Sequence, residues 1–270
     1  MSRLRSLARV GALVLLVALT LPALHAQLDF GRINRAVENA KSLGKVAKGV
    51  AGIGLEEERA LGGSVAAEIV SAHGGLVRDE SITRRVNLLG KALAHYSSRP
   101  ALTWRFGVLA SDSINAFSAP GGYIFITQGL YSLVGDDDDA LAAVLAHEIT
   151  HIDERHALKI IGRGEFLSGA TALASDRSSE LRKVQRDLRQ FDLGVEKVVK
   201  VILEQGFDPQ TEYAADSGGR ALALTTGYAP GALRLVLARL QQEQPGARKI
   251  FSTHPPLAER IRRLPAEDTR

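Results

Sequence analysis

The 270-residue chain contains no cysteine. Disulfides are thereby excluded, and so is a lipid-modified N-terminal cysteine of the bacterial lipoprotein kind. Beyond residue 26 no apolar run reaches the roughly eighteen residues that a membrane-spanning helix needs. No 34-residue period of a helical repeat array is visible either. Charge of a single sign is scarce too. Met1 to Ala26 holds three arginines and no acid, so setting it aside lowers the net charge from +4 to +1. The basicity belongs mostly to one end of the chain and gives no ground for a nucleic-acid partner.

That end reads as an export signal. Arg3, Arg5 and Arg9 form a basic start, Val10 to Leu21 an apolar stretch too short to span a bilayer comfortably, and Ala26 precedes the cut. A retained N-terminal anchor is the alternative. With this signal the mature protein is expected in a Gram-negative periplasm, with weak or no direct membrane association. A hydrophobic content of 45% supports one sizeable core. The expected organisation is a signal over 1–26, a glycine-containing lead-in over 27–54, one domain over 55–265 and a tail over 266–270.

The feature that carries most information is His147-Glu148-Ile149-Thr150-His151. Two imidazoles four residues apart project from one face of a helix, close enough to grip one metal ion, with a carboxylate beside the first. The run Leu141 to Ala146 is made of strong helix formers, and Asp136 to Asp139 supply negative charge where a helix begins. A catalytic zinc site needs a third protein ligand and an open position. The three-histidine extension HExxHxxGxxH fails, because Asp153 and Ala157 stand where glycine and histidine are required and His156 is one position off. A glutamate from another helix is the other solution. Glu212-Tyr213-Ala214-Ala215-Asp216 places two carboxylates four apart, Glu212 as ligand and Asp216 to hydrogen-bond an imidazole and fix its tautomer.

From about Leu55 to Leu264 the chain resembles the zinc metallopeptidases related to the CAAX prenyl protease and HtpX, and within them the soluble periplasmic members of the BepA and LoiP kind. Four blocks carry the resemblance in order. They are Ile114 to Ile126, ending in Thr127-Gln128-Gly129-Leu130; HExxH continued through His156; Glu212 to Asp216 followed by Gly218 and Gly219; and Ser252 to Ile261. The resemblance implies one zinc ion per chain on His147, His151 and Glu212, with Glu148 as the base. It implies Asp216 as support or proton donor, and His254 and Arg260 as a pair near the metal, steadying the oxyanion or regulating access. It further implies polypeptide substrates and a link to outer-membrane assembly machinery. The helical-repeat extension of the BepA-like members has no counterpart among these residues.

The residues before HExxH suggest how a substrate lies. Trp104, Phe106 and Val108 alternate as in a half-buried strand, Pro120-Gly121-Gly122 is a turn signal, and Tyr123 to Thr127 reads as the next strand. An edge strand beside the zinc helix can pair with an extended peptide through main-chain hydrogen bonds. Asn115, Ala116, Phe117, Gly121, Gly122 and Tyr123 are the candidate substrate-facing residues. The aminopeptidase motif GxMEN is missing, which favours an endopeptidase.

Helices are expected over Glu56 to Ser71 and Ile82 to Tyr96. A long amphipathic helix is expected from Leu181 to Ile202, its basic face carrying Arg182, Lys183, Arg186 and Arg189. Further helices follow near Gly219 to Thr226 and Pro230 to Gln241, with a short one at the C-terminal end. The predicted fold is therefore α+β and mainly α-helical, a zincin-like domain with a small β-sheet beside the HExxH helix. A metal-binding chaperone or assembly factor with the same fold and a mostly gated site is the alternative function.

Overall fold

The computed structural model describes residues 53–164, 192–242 and 256–265. Their order is α1 (Leu55–Ala72), α2 (Glu80–His95), β1 (Arg105–Leu109), β2 (Ala116–Ala119), β3 (Tyr123–Thr127), α3 (Gln128–Val134), α4 (Asp138–Asp153), α5 (His156–Gly164), a helical stretch over 192–200 that widens into a π-helical turn (Val201–Gln205), α6 (Pro209–Thr226), α7 (Ala232–Gln242) and α8 (Leu257–Arg263). The mainly helical α+β prediction holds. The signal segment and the basic face at Arg182 to Arg189 lie outside the described residues. No described helix is long and apolar enough to cross a membrane.

Helix ends follow their side chains. Asp79, Thr127, Asp137 and Asp208 each accept backbone N–H groups as N-caps of α2, α3, α4 and α6. Pro209 opens α6, where its missing N–H costs nothing. Left-handed Gly227 closes that helix.

The sheet order is β1-β3-β2, with β1 parallel and β2 antiparallel to β3. The β2–β3 hairpin turns at Gly121 and Gly122, whose φ angles of 77° and 97° suit glycine alone. Both faces of the sheet are covered, so the half-buried reading of Trp104, Phe106 and Val108 gives way to a strand buried on both sides. Phe106, Val108, Ile124 and Ile126 face the core built with α2 and α4. Leu109, Phe117, Ala119 and Phe125 face a second core with α1, Val198 and Ile202. An α-helical cover on each side removes the solvent face that alternation alone would imply.

α4 is the centre of the molecule. Every residue from Ala140 to Ile152 is buried, as expected of a helix apolar nearly all round, and α2, α6, α7 and β2 pack on it. Its crossing with α6 is close because Gly219 lies there: an added Cβ would come within 2.8 Å of the His147 backbone. That approach sets Glu212 and Asp216 against the histidines.

Candidate metal centre

α4 supplies His147, Glu148 and His151, α6 supplies Glu212 and Asp216, and α8 supplies Arg260; all six are buried. The Nε2 atoms of His147 and His151 stand 3.1 Å apart. The Glu212 carboxylate lies 3.7 Å from the first and 3.5 Å from the second. Tetrahedral zinc holds nitrogen ligands at 2.0–2.1 Å, which puts neighbouring ligand atoms about 3.3 Å apart. The three groups therefore sit at ligand-to-ligand spacing. The donor set agrees: three buried carboxyl groups, Glu148, Glu212 and Asp216, stand against one guanidinium, Arg260, a preponderance of acids that suits a divalent cation. The residues fit the metal that their pattern implies.

Asp216 organises one side. Its Oδ1 lies 3.0 Å from His147 Nδ1, and Arg260 forks onto it at 2.9 Å to Oδ2 and 2.6 Å to Oδ1. A proton on Nδ1 of His147 leaves its Nε2 lone pair turned toward His151 and Glu212. Burial alone would push the Asp216 carboxyl up, but Arg260 and His147 outweigh it and hold it well below the ordinary carboxylate range. Burial disfavours charge on His147, and the Asp216 hydrogen bond outweighs it, raising that imidazole above its ordinary value. The third nitrogen of Arg260 is 3.6 Å from Glu212.

His151 has other company. The Phe207 ring stacks on it at 4.5 Å, and His156 Nδ1 lies 3.0 Å from its Nδ1. Burial, with Lys159 adding, drives the His156 pKa down to about 4.

Glu148 lies between two pockets that share Ala116. Asn115, Val144, Leu233 and Leu237 line one; Phe117, Ser118, Ile202 and Phe207 line the other. Of the six substrate-facing candidates, Asn115, Ala116 and Phe117 thus stand beside Glu148. The other three are tied elsewhere. Gly121 N–H donates to Glu58, Gly122 presses on the Thr103 backbone, and Tyr123 lies under Arg105. His254 is outside the described residues. Sequence reasoning misses His156 as a partner of His151 and misses Phe207. For His156 the signal is its place directly after HExxH, masked by its failure as a ligand. For Phe207, one aromatic after a glycine in a loop, there is none.

A buried helix carrying two histidines and a carboxylate, crossed by a second helix bringing a glutamate, defines a metallopeptidase-type centre. The profile of peptidase family M48 matches residues 80–268, and the chain belongs to that family. It is 27% identical over 179 residues to the beta-barrel assembly-enhancing protease of Yersinia pestis, covering 58% of this chain and 36% of that protein. With the protein of that name from Escherichia coli (strain K12) it shares 28% over 191 residues, 67% of this chain and 37% of the other. With the mitochondrial metalloendopeptidase OMA1 of Schizosaccharomyces pombe it shares 27% over 217 residues, 78% and 61% respectively. The chain spans little more than a third of the length of the two bacterial relatives.

Proposed function

We propose that this chain is a zinc-dependent endopeptidase that cuts polypeptides laid along the edge of β2 that pairs with no described strand. His147, His151 and Glu212 hold the ion, one per chain. The observation that carries the reading is the convergence of their three donor groups at 3.1–3.7 Å, with Glu148 next to them and opening on two pockets. When bound, zinc lowers the pKa of water to about 7 and polarises a carbonyl. Glu148 takes the proton of the attacking water and returns it to the leaving amine. Asp216 keeps Nδ1 of His147 protonated, and Arg260 keeps Asp216 ionised and in place. His254 is the proposed second donor to the oxyanion or the group that governs access. The outer edge of β2, beside Asn115, Ala116 and Phe117, is the proposed place of main-chain hydrogen bonds that tolerate many sequences, with the backbone of Asn115 itself engaged by Thr127. That tolerance supports substrates that are unfolded or misassembled.

The proposed setting is the periplasm of a Gram-negative bacterium, reached through residues 1–26, with 27–54 as lead-in, 55–265 as the catalytic domain and 266–270 as tail. The signal pattern and the name of the bacterial relatives, beta-barrel assembly-enhancing protease, support a role in envelope protein quality control beside outer-membrane assembly machinery.

Zinc content and casein cleavage of wild type and Glu148→Gln test the reading. Zinc in both with cleavage by wild type alone is the expected result. Zinc in both with cleavage by neither favours a gated chaperone, and no zinc in metal-supplemented protein overturns the site.

A further inference from the structure

His156 misses the spacing of a third histidine ligand, yet the fold returns it to the metal centre. α4 ends at Asp153, Glu154 caps it, and Arg155 takes a left-handed φ of 55°. The chain turns there and α5 starts at His156. The turn is held from outside: one Arg155 nitrogen donates to the Ile53 carbonyl at 2.9 Å and to Glu58 at 3.0 Å. Its result is that His156, 5% exposed, sets its Nδ1 3.0 Å from Nδ1 of His151, the two rings crossing at 75°.

Two imidazole nitrogens at that distance share one hydrogen: one donates and the other accepts. The other nitrogen of His151, Nε2, is the one turned to His147 and Glu212. A ligand needs its lone pair there, so the hydrogen of His151 belongs on Nδ1 and His156 accepts it. Phe207, stacked on the same ring at an interplanar angle of 20°, fixes the remaining freedom of the ring plane.

We infer that His156 is a positioning residue of the metal centre, locking the tautomer and direction of His151 as Asp216 does for His147. The inference rests on the zinc site proposed above. The two ligand histidines are thus backed by different chemistry, an arginine-held carboxylate on one and a second imidazole on the other. A carboxylate behind His151 would be the fourth at a site that already holds Glu148, Glu212 and Asp216; an imidazole supplies the acceptor without the charge.

Zinc affinity by competition with a chromophoric chelator tests this, read beside the thermal midpoint of the metal-free protein and the absorption of the cobalt-substituted form. His156→Phe keeps a ring and loses the acceptor. His156→Asn puts an amide oxygen close to where Nδ1 was, and His156→Gln puts its amide at the far nitrogen's position. Expected are 10- to 100-fold weaker zinc binding for Phe and Gln, near-wild-type binding for Asn, and cobalt bands that shift in the first two and return in the third. The metal-free midpoints should not follow that order. Wild-type affinity and cobalt spectrum in His156→Phe overturn the inference. If the Phe variant fails to fold, equal affinities for Asn and Gln overturn it, and retention by Asn with loss by Gln supports it. Failure of wild type itself to bind zinc removes the metal-centre reading, and this inference with it.

Discussion

Two buried carboxylates in this protein are clamped by arginine, and they do different work. Glu58, 1% exposed, takes two nitrogens of Arg99 at 2.8 Å, Arg155 at 3.0 Å and the Gly121 N–H at 3.1 Å. Every one of those partners belongs to the scaffold: the loop before β1, the turn after α4 and the turn of the hairpin. Asp216 has a single arginine, Arg260, and gives its remaining capacity to His147. The same ion-pair chemistry serves backbone organisation in one place and ligand orientation in the other. What separates them is whether the carboxylate also accepts from an imidazole that faces the metal.

The comparison breaks most visibly at Asp216. Asp216→Asn takes from the buried Arg260 its hydrogen-bonded counter-charge and leaves it Glu212 at 3.6 Å, and removing one partner of a buried pair costs about 3–5 kcal/mol. Zinc affinity of the folded variant should fall 10- to 100-fold as well, because the hydrogen-bond partner of His147 is weakened. Urea unfolding and chelator competition read the two effects separately. Unchanged zinc affinity would make Asp216 a second Glu58 and dissolve the distinction.

Glu58→Gln is the converse. Its stability loss should fall at the lower end, about 3 kcal/mol, because Arg99 and Arg155 keep 20% and 25% of their side chains exposed and can hydrate. Zinc affinity should stay at the wild-type value. A variant that folds and yet loses zinc would show that the scaffold knot reaches the ligands through Arg155 and His156.

How much of this is readable in the chain depends on whether a spacing rule applies. Within α4 and α6 it does: residues four apart share a face, so His147 with His151 and Glu212 with Asp216 stand out from the sequence alone. The turn at Gly121-Gly122 and strand β3 are legible from residue type. The Glu58 knot is not, because its partners lie 41, 63 and 97 residues away and no period links them. His156 illustrates the failure most clearly. Helical spacing rejects it as a ligand, and rightly within that rule, but the helix has already ended. Left-handed Arg155 replaces the periodicity with a turn, which the sequence states only as an arginine before a histidine. Likewise β1 alternates as expected, yet nothing local reveals that α1 covers the second face of the sheet.

The two knots also differ in acid. Burial would raise the Glu58 carboxyl, but the Arg99 fork outweighs it and holds it below its ordinary 4.5. A carboxyl lowered by folding contributes stability that is complete above its unfolded value and is lost as pH falls through the folded one. The stability difference between wild type and Glu58→Gln should therefore be constant from neutrality down to about pH 5 and shrink below the ordinary value of 4.5. Unfolding midpoints across that range measure it. A difference that grows toward acid would mean that the arginines do not hold this carboxylate ionised.

The smallest expected effect separates conformation from charge at Arg155. A non-glycine residue at a φ of 55° carries strain that glycine does not. Arg155→Ala keeps the strain and loses the contacts to Glu58 and Ile53, so it should destabilise; Arg155→Gly loses the same contacts and relieves the backbone. The glycine variant should be the more stable of the two by about 1 kcal/mol, since the αL penalty for an L-residue is of that order, offset in part by the greater freedom of glycine in the unfolded chain. Zinc affinity adds the informative half. If the turn serves to bring His156 to His151, the glycine variant, which adopts it freely, should bind zinc more tightly than the alanine variant. Equal affinities would mean that α5 finds its place without Arg155, and the knot at Glu58 would then stabilise the scaffold alone.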